Sequence, residues 1–432
     1  MSVLAPPGAL PRTTRTAPAR RHRPRASVRH LGPNWYAVVM GTAIVANAGG
    51  ALPVRVPRAE PVFVAVWALS ALALLVLLAA RAAHWLRHRD QARAHLLDPT
   101  IAPFYGCPPM ALLAVGAGAL AVGGDVLGPS AAVTAGAVLW SAGSLTGLVA
   151  AVGVPYLMIA RHRIAPGDAS PVWLLPVVAP MVAAATGPAL AAHLPPGQGR
   201  SALLLGCCAM FGMSLLATLL ILPAVFARLV HRGPLPLVLS PALFLVLGPL
   251  GQSTTAGAQL ADAVHGTPFG SYAAYASVAY GAPVLGFALL WLALAGALVV
   301  RAVRRGMPFA MTWWGFTFPV GTCVTGAAGL ARHTGVHAVG WLAVGLYGLL
   351  LAAWAMVAVR TGLGLARGTL LAPGGAPGAA TTPPERGDTT VEAEPGAGSA
   401  APQPDPAAAT IPPGPAAGAP RPEPVGAAHT RG

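Results

Sequence analysis

The 432-residue chain contains no lysine and only 12 acidic residues, and all four charged types together make up 9% of it. A soluble domain carries about 25% charged residues, so an ordinary water-soluble fold is excluded. Cysteine is equally scarce: Cys107, Cys207, Cys208 and Cys323 lie in or beside apolar runs, at spacings of neither a disulfide framework nor a metal site. They read as small buried hydrophobes. The glycines around Gly116, Gly118 and Gly123 lack a following Lys-Ser/Thr pair, which removes a phosphate-cradling loop. Nothing in the pattern marks a catalytic centre, a metal or a cofactor, and no enzyme is expected. Residues 1–30 lack the apolar core of a signal peptide, and the pair Arg20-Arg21 does not make a twin-arginine leader when so many apolar runs follow.

What the chain has in abundance is apolar sequence, at 55% hydrophobic residues. Crossing about 30 Å of hydrocarbon takes about 20 residues of helix. Ten runs meet that length: about Trp35 to Ala51, Val62 to Ala83, Phe104 to Gly124, Val133 to Ala160, Val172 to His193, Ala202 to Leu229, Leu237 to Leu260, Tyr272 to Val300, Phe309 to Leu330 and Val336 to Thr361. The net charge of +15 comes entirely from arginine, gathered at the ends of these runs, which points to a membrane surface and not to nucleic acid. Twenty arginines fall on one side of the alternating connections, against four (Arg55, Arg58, Arg200 and Arg332) on the other. By the positive-inside rule this predicts an even number of spans in the cell membrane, with both termini cytoplasmic. The expected organisation is an Arg/Pro-rich segment at 1–30, a transmembrane domain at 31–365 and a Pro/Ala/Gly-rich tail at 370–432, the tail too poor in large apolar residues to fold.

Inside the spans, charge is missing again. Asp125, Asp262, Arg161, Arg301 and Arg332 all sit at span ends, so there is no buried relay of the kind proton-coupled pumps use. His84, His88, His193, His265, His333 and His337 also lie near ends and read as interfacial residues, not metal ligands. Proline is concentrated in the odd-numbered spans, as Pro108, Pro109, Pro176, Pro180, Pro188, Pro241, Pro249 and Pro319. These are expected to kink their helices and free backbone carbonyls, which in hydrocarbon must face protein or water. The even spans are plainer, and a Gly143/Gly147 pair in the fourth suggests close helix packing. Odd spans recur at intervals of roughly 65 to 70 residues. The predicted architecture is an all-α integral membrane protein of ten helices, paired as five hairpins, with odd helices inside around a central pore and even helices outside. Uncharged groups that could line it are Thr42, Asn47, Thr186, Gln252, Ser253, Thr254, Thr255, Thr317 and Thr322.

The segments "GPNWYAVVMGTAIVANA" at 32–48, "WLLPVVAPMVAAATGPALA" at 173–191, "LSPALFLVLGPLGQSTTA" at 239–256 and "TWWGFTFPVGT" at 312–322 resemble the tellurite-resistance/dicarboxylate transporter family. That family includes tellurite-resistance permeases, malate permeases, sulfite exporters and slow-type anion channels, and the resemblance runs over about residues 31 to 365. It implies five hairpins around a pore, commonly a homotrimer, and passive movement of small anions such as a C4-dicarboxylate, sulfite, tellurite or an inorganic anion. It also implies a phenylalanine plug in the ninth helix. Alignment of the Phe-Pro step assigns this role to Phe318, with Phe316 the fallback. Two residues apart on a helix point about 200° away from each other, so only one of these rings can face the axis. Trp313 and Trp314, close to Arg304 and Arg305, read as interfacial anchors. The alternative reading is a proton-coupled exporter of organic acids or drugs; a non-transporting sensor is the third.

Overall fold

The computed structural model describes residues 28–54, 58–165, 167–368 and 370, all within one compact unit, Met1–Ala380. Most of the 1–30 segment and the 370–432 tail lies outside the described residues. Among those described there is no β-strand, and the α-helices fall into two classes. One class is short: α1 (Tyr36–Gly50), α4 (Cys107–Ala121), α7 (Leu174–Ala191), α9 (Leu247–Ala263) and α11 (Phe318–Thr334), of 15 to 18 residues each. The other is long: α2 (Glu60–Arg87), α6 (Pro129–Ala160), α8 (Gln198–Arg232), α10 (Gly270–Arg304) and α12 (His337–Ala366), of 28 to 35 residues. Two small helices, α3 (Arg89–Leu97) and α5 (Gly124–Leu127), lie in connections.

Each short helix is entered through a 3-10 segment: Pro33–Trp35, Ala102–Gly106, Pro171–Trp173, Leu237–Val246 and Met311–Phe316. Proline explains these joints. Pro108, Pro109, Pro176, Pro249 and Pro319 sit in the first turn of their α-helices, where a missing backbone N–H leaves no hydrogen bond unmade. Pro180 and Pro188 fall within the interior of α7, and Pro241 lies inside the 3-10 segment Leu237–Val246; the long helices α6, α8 and α10 carry one interior proline each, Pro155, Pro223 and Pro283.

The short helices contact one another in the order α1, α4, α7, α9, α11 and back to α1, closing a ring. Each long helix follows a short one in the chain and packs outside that ring, α2 on α1 and α4, α6 on α4 and α7, α8 on α7 and α9, α10 on α9 and α11, and α12 on α11 and α1. Eight helical stretches are long and apolar enough to cross a membrane. The three of them that run through α4, α7 and α9 are 67% to 89% buried, and the five outer ones only 17% to 33%. α1 and α11, at 15 and 17 residues, fall short of that length but are equally enclosed. Exposed leucine and valine on α2, α6, α8, α10 and α12 is what a lipid-facing shell requires. The Gly143/Gly147 pair of α6 does sit at close packing, against Leu113 and Pro109 of α4 and Ala179 of α7.

Two readings of the sequence are corrected at the arginine-rich end. Arg81 and His84 are not surface groups: Arg81 is buried, donating to the Leu31 carbonyl at 2.6 Å and to the Tyr105 hydroxyl at 2.7 Å. The His84 ring has no exposed surface and stacks on His95 of α3, with centroids 5.5 Å apart. Burial, and then the charge of Arg81, push the His95 pKa down to about 4. The tryptophans are likewise internal. Trp314 is 2% exposed and its indole donates to Thr361 of α12, while Trp313 donates to the Pro308 carbonyl beneath the Arg360 guanidinium. They tie the Met311–Phe316 segment to its neighbours and do not float it at an interface.

Candidate functional site

All five short helices line one cavity of about 530 Å3. α1 contributes Ile44 and Asn47, α4 Ala114 and Ala117, α7 Val182 and Thr186, α9 Gln252, Thr255 and Gln259, and α11 Phe318, Thr325 and Arg332. The helical period places these groups. Phe318, Thr325 and Arg332 are spaced by seven, and Gln252, Thr255 and Gln259 by three and four, so each set forms a single stripe along its helix. Thr186 and His193 repeat the seven-residue spacing from the end of α7 into the turn that follows it.

Of the nine uncharged candidates, Asn47, Thr186, Gln252 and Thr255 lie on this cavity. The other five are engaged in helix contacts. Thr42 donates to Val38 and accepts from the Trp354 indole of α12; Ser253 and Thr254 both donate to Leu250. Thr317 donates to Trp314 and Thr322 to Pro319, each at 2.7 Å. Their hydroxyls satisfy themselves on carbonyls of their own helix, a low-energy solution in an apolar setting that sequence composition does not distinguish from a wet one. Sequence reasoning did not place Gln259, Thr325, His193 and Arg332 on the cavity; the stripes of seven were the signal that could have found them.

Hydrogen bonding on the cavity wall is only partly internal. Asn47 bridges α1 and α4 by donating to the Ala114 carbonyl at 2.9 Å. Thr255 and Thr325 share a 2.7 Å hydroxyl contact, joining α9 to α11. The same pair of helices meets at Gly251, where an added Cβ would stand 2.5 Å from the Thr322–Cys323 backbone. The amides of Gln252 and Gln259 make no hydrogen bond to another described residue, which leaves their N–H groups facing the space. At the mouth Arg332 contacts Asp262 at 3.2 Å, and Asp262 also accepts from His333 at 2.7 Å, whose other ring nitrogen meets Ser277. No carboxylate lines the cavity, so its one formal charge is the Arg332 guanidinium.

Phe318 lies at the opposite end of the α11 stripe from Arg332. Its side chain, 4% exposed, lines the large cavity and also a second one of only about 30 Å3. That remnant is walled by rings and aliphatic groups, including Met40, Phe104, Leu245, Met311 and Trp314. Phe316 points elsewhere: it packs edge-to-face on Phe244 at 4.9 Å and on Trp313 at 5.8 Å. The divergence arises at Thr317, whose backbone (φ −95°, ψ −76°) joins the 3-10 turn to α11.

The profile of a family described as voltage-dependent anion channel, SLAC1, matches residues 30–362. The chain belongs to the SLAC1 family. The match spans the whole ring and its outer helices, and agrees with the resemblance to the tellurite-resistance/dicarboxylate transporters. Among relatives, the uncharacterised transporter MJ0576 of Methanocaldococcus jannaschii is 25% identical over 335 residues, covering 77% of this chain and 93% of that protein. The sulfite efflux pump SSU1 of Trichophyton rubrum is 27% identical over 324 residues, covering 73% and 85% respectively. A second SSU1, from Arthroderma otae, is 26% identical over 324 residues. This SLAC1-family chain is therefore a multi-pass membrane protein of a group of anion channels and transporters, whose members here are not enzymes.

Proposed function

We propose that the protein is an anion channel or uniporter-like permease of the cell membrane, conducting small anions through the ring of short helices, with Phe318 as the gate. In this reading the ten helices all span the membrane as five hairpins, both termini are cytoplasmic, and the assembly is a homotrimer. The observation that carries it is the position of Phe318, between a cavity of about 530 Å3 whose small-residue wall carries several amides and hydroxyls and a remnant of about 30 Å3. A ring in that place excludes water and ions, and a rotamer change opens the path.

A mostly small and aliphatic wall bearing a few amides and hydroxyls and one guanidinium, with no carboxylate among the described residues that line it, suits an anion that must leave as readily as it enters. Asn47, Thr186, Gln252 and Thr255 are the lining groups of this path, and positive potential from the arginine-rich face adds a diffuse preference for negative charge. Sulfite is the first cargo to test, because the SSU1 relatives are sulfite efflux pumps; tellurite, C4-dicarboxylates and inorganic anions follow. The test is flux in proteoliposomes of purified protein against that panel, with and without a proton gradient. Gradient-independent anion flux that rises in Phe318→Ala supports the proposal. Flux that needs the proton gradient, or is unchanged in a correctly inserted F318A protein, overturns it.

A further inference from the structure

At the arginine-rich end of α8 and α10, away from the ring's cavity, lies a second pocket of about 230 Å3. Leu235 and Leu237 form one wall and Leu298 of α10 the other, with the Ser240 side chain at the base. Arg301 and Arg305, one helical turn apart, stand on its rim. Neither guanidinium makes a hydrogen bond or ion pair with any described residue, and no carboxylate lines the pocket. Val300 and Val303, exposed on the opposite face of α10, mark the side of that helix turned away from the pocket.

The pocket is built in advance of any ligand. The α8–α9 connection turns at Gly233 (φ 72°), whose carbonyl accepts a 2.6 Å bond from Arg228, and Pro234 and Pro236 stiffen the segment that follows. Farther along α10 the Trp291 indole donates to the carbonyl of the pocket-lining Leu243 at 2.9 Å, tying the helix to the Leu237–Val246 segment. An apolar slot bordered by two arginines that no described residue engages, at the C-terminal turn of α10, has the chemistry to take a phospholipid: acyl chain along the leucines, phosphate against the guanidiniums.

We propose that this pocket binds an anionic phospholipid of the arginine-rich leaflet, through Arg301 and Arg305. A soluble phosphate compound would use the arginines but not the leucine walls, and a neutral lipid the walls but not the arginines' excess charge. The occupant would lie against the Leu237–Val246 segment, whose Phe244 supports Phe316. Binding itself does not depend on the pore reading.

The full-length protein in mild detergent is titrated with phosphatidylglycerol, phosphatidylcholine and glycerol 3-phosphate, and bound lipid is counted by native mass spectrometry. Phosphatidylglycerol should be retained about tenfold better than phosphatidylcholine. That preference should vanish in Arg301→Gln/Arg305→Gln and survive in Arg304→Gln, whose residue is next in the chain but does not line the pocket. The proposal fails if the double variant keeps the preference, if R304Q loses as much, or if glycerol 3-phosphate displaces the lipid at equal concentration. Should the double variant aggregate, R305Q alone is read against R304Q by the same criteria.

Discussion

On one side of Phe318 the ring encloses a cavity of about 530 Å3 faced with glutamine, asparagine, threonine and an arginine; on the other it leaves about 30 Å3 among Met40, Phe104, Leu245 and Trp314. The same five chain segments build both. On the open side they are regular α-helices rich in alanine and glycine, so that few large side chains reach inward and the polar stripes of α9 and α11 stay uncovered. On the closed side they are 3-10 segments rich in rings, entered by proline, which pack against each other through contacts such as Phe244 on Phe316. The narrow part of the interior is made by the irregular ends of the inner helices, and the wide part by their regular turns.

Substitutions can break that contrast. Gly251→Val should have the largest effect because it removes both sides at once: the added branches meet the Thr322–Cys323 backbone and separate α9 from α11, a cost of about 3 kcal/mol or more. Little monodisperse protein should survive solubilisation; a wild-type chromatographic profile would show that the helices can part. The next largest is expected at the ring between the cavities. F318A should raise anion flux on the order of tenfold while melting close to the wild type, because the side chain already borders open space on two sides. Phe316→Ala should do the reverse, losing about 2–3 kcal/mol of stability through its contacts with Phe244 and Trp313, with flux near the wild-type value. Equal flux from both variants would erase the distinction between them.

A smaller change sharpens the open side alone. Arg332→Gln should lower flux of a divalent anion by about two- to fivefold, the scale of a half-exposed charge already shared with Asp262. Proteoliposome flux at low and high salt measures it, and the difference should shrink as salt rises. A separate effect, read in stability and not in flux, concerns the arginine-rich end. Because folding holds the His95 pKa down at about 4, the unfolded chain takes up that proton first as pH falls below about 6.5. Its contribution to stability is thus whole above about 6.5 and drains away between there and about 4. Melting temperatures in detergent should decline across that window less steeply in His95→Phe.

Much of this was legible before any fold was known, and particular residues say why. The lipid-facing helices announced themselves because hydrocarbon imposes length and apolarity on each of them independently, and the arginines at 161, 228, 232, 301, 304 and 305 marked one face by the same logic. Phe318 was reached only with the help of a family resemblance, since a ring beside a proline has many other uses. Thr317 and Thr322 could not be told from Thr186 and Thr255 by composition, because all four return their proton to a carbonyl three or four residues earlier, and only the face each occupies in the ring separates them. Arg81 and His84 were misplaced because burial at a helix end depends on α3, a nine-residue helix with no apolar run to betray it.

The sequence by itself determined the class of molecule, the helices long enough for a bilayer, the small-residue inner segments and the family, because each depends on local composition or on order along the chain. Tertiary structure alone decided which hydroxyls and amides share the cavity, which of two phenylalanines meets it, and which arginines stay free for a lipid. Those outcomes turn on the backbone joint at Thr317 and on which helix stands opposite, and contacts between residues 60 or more apart in the chain are set by packing, not by any local pattern.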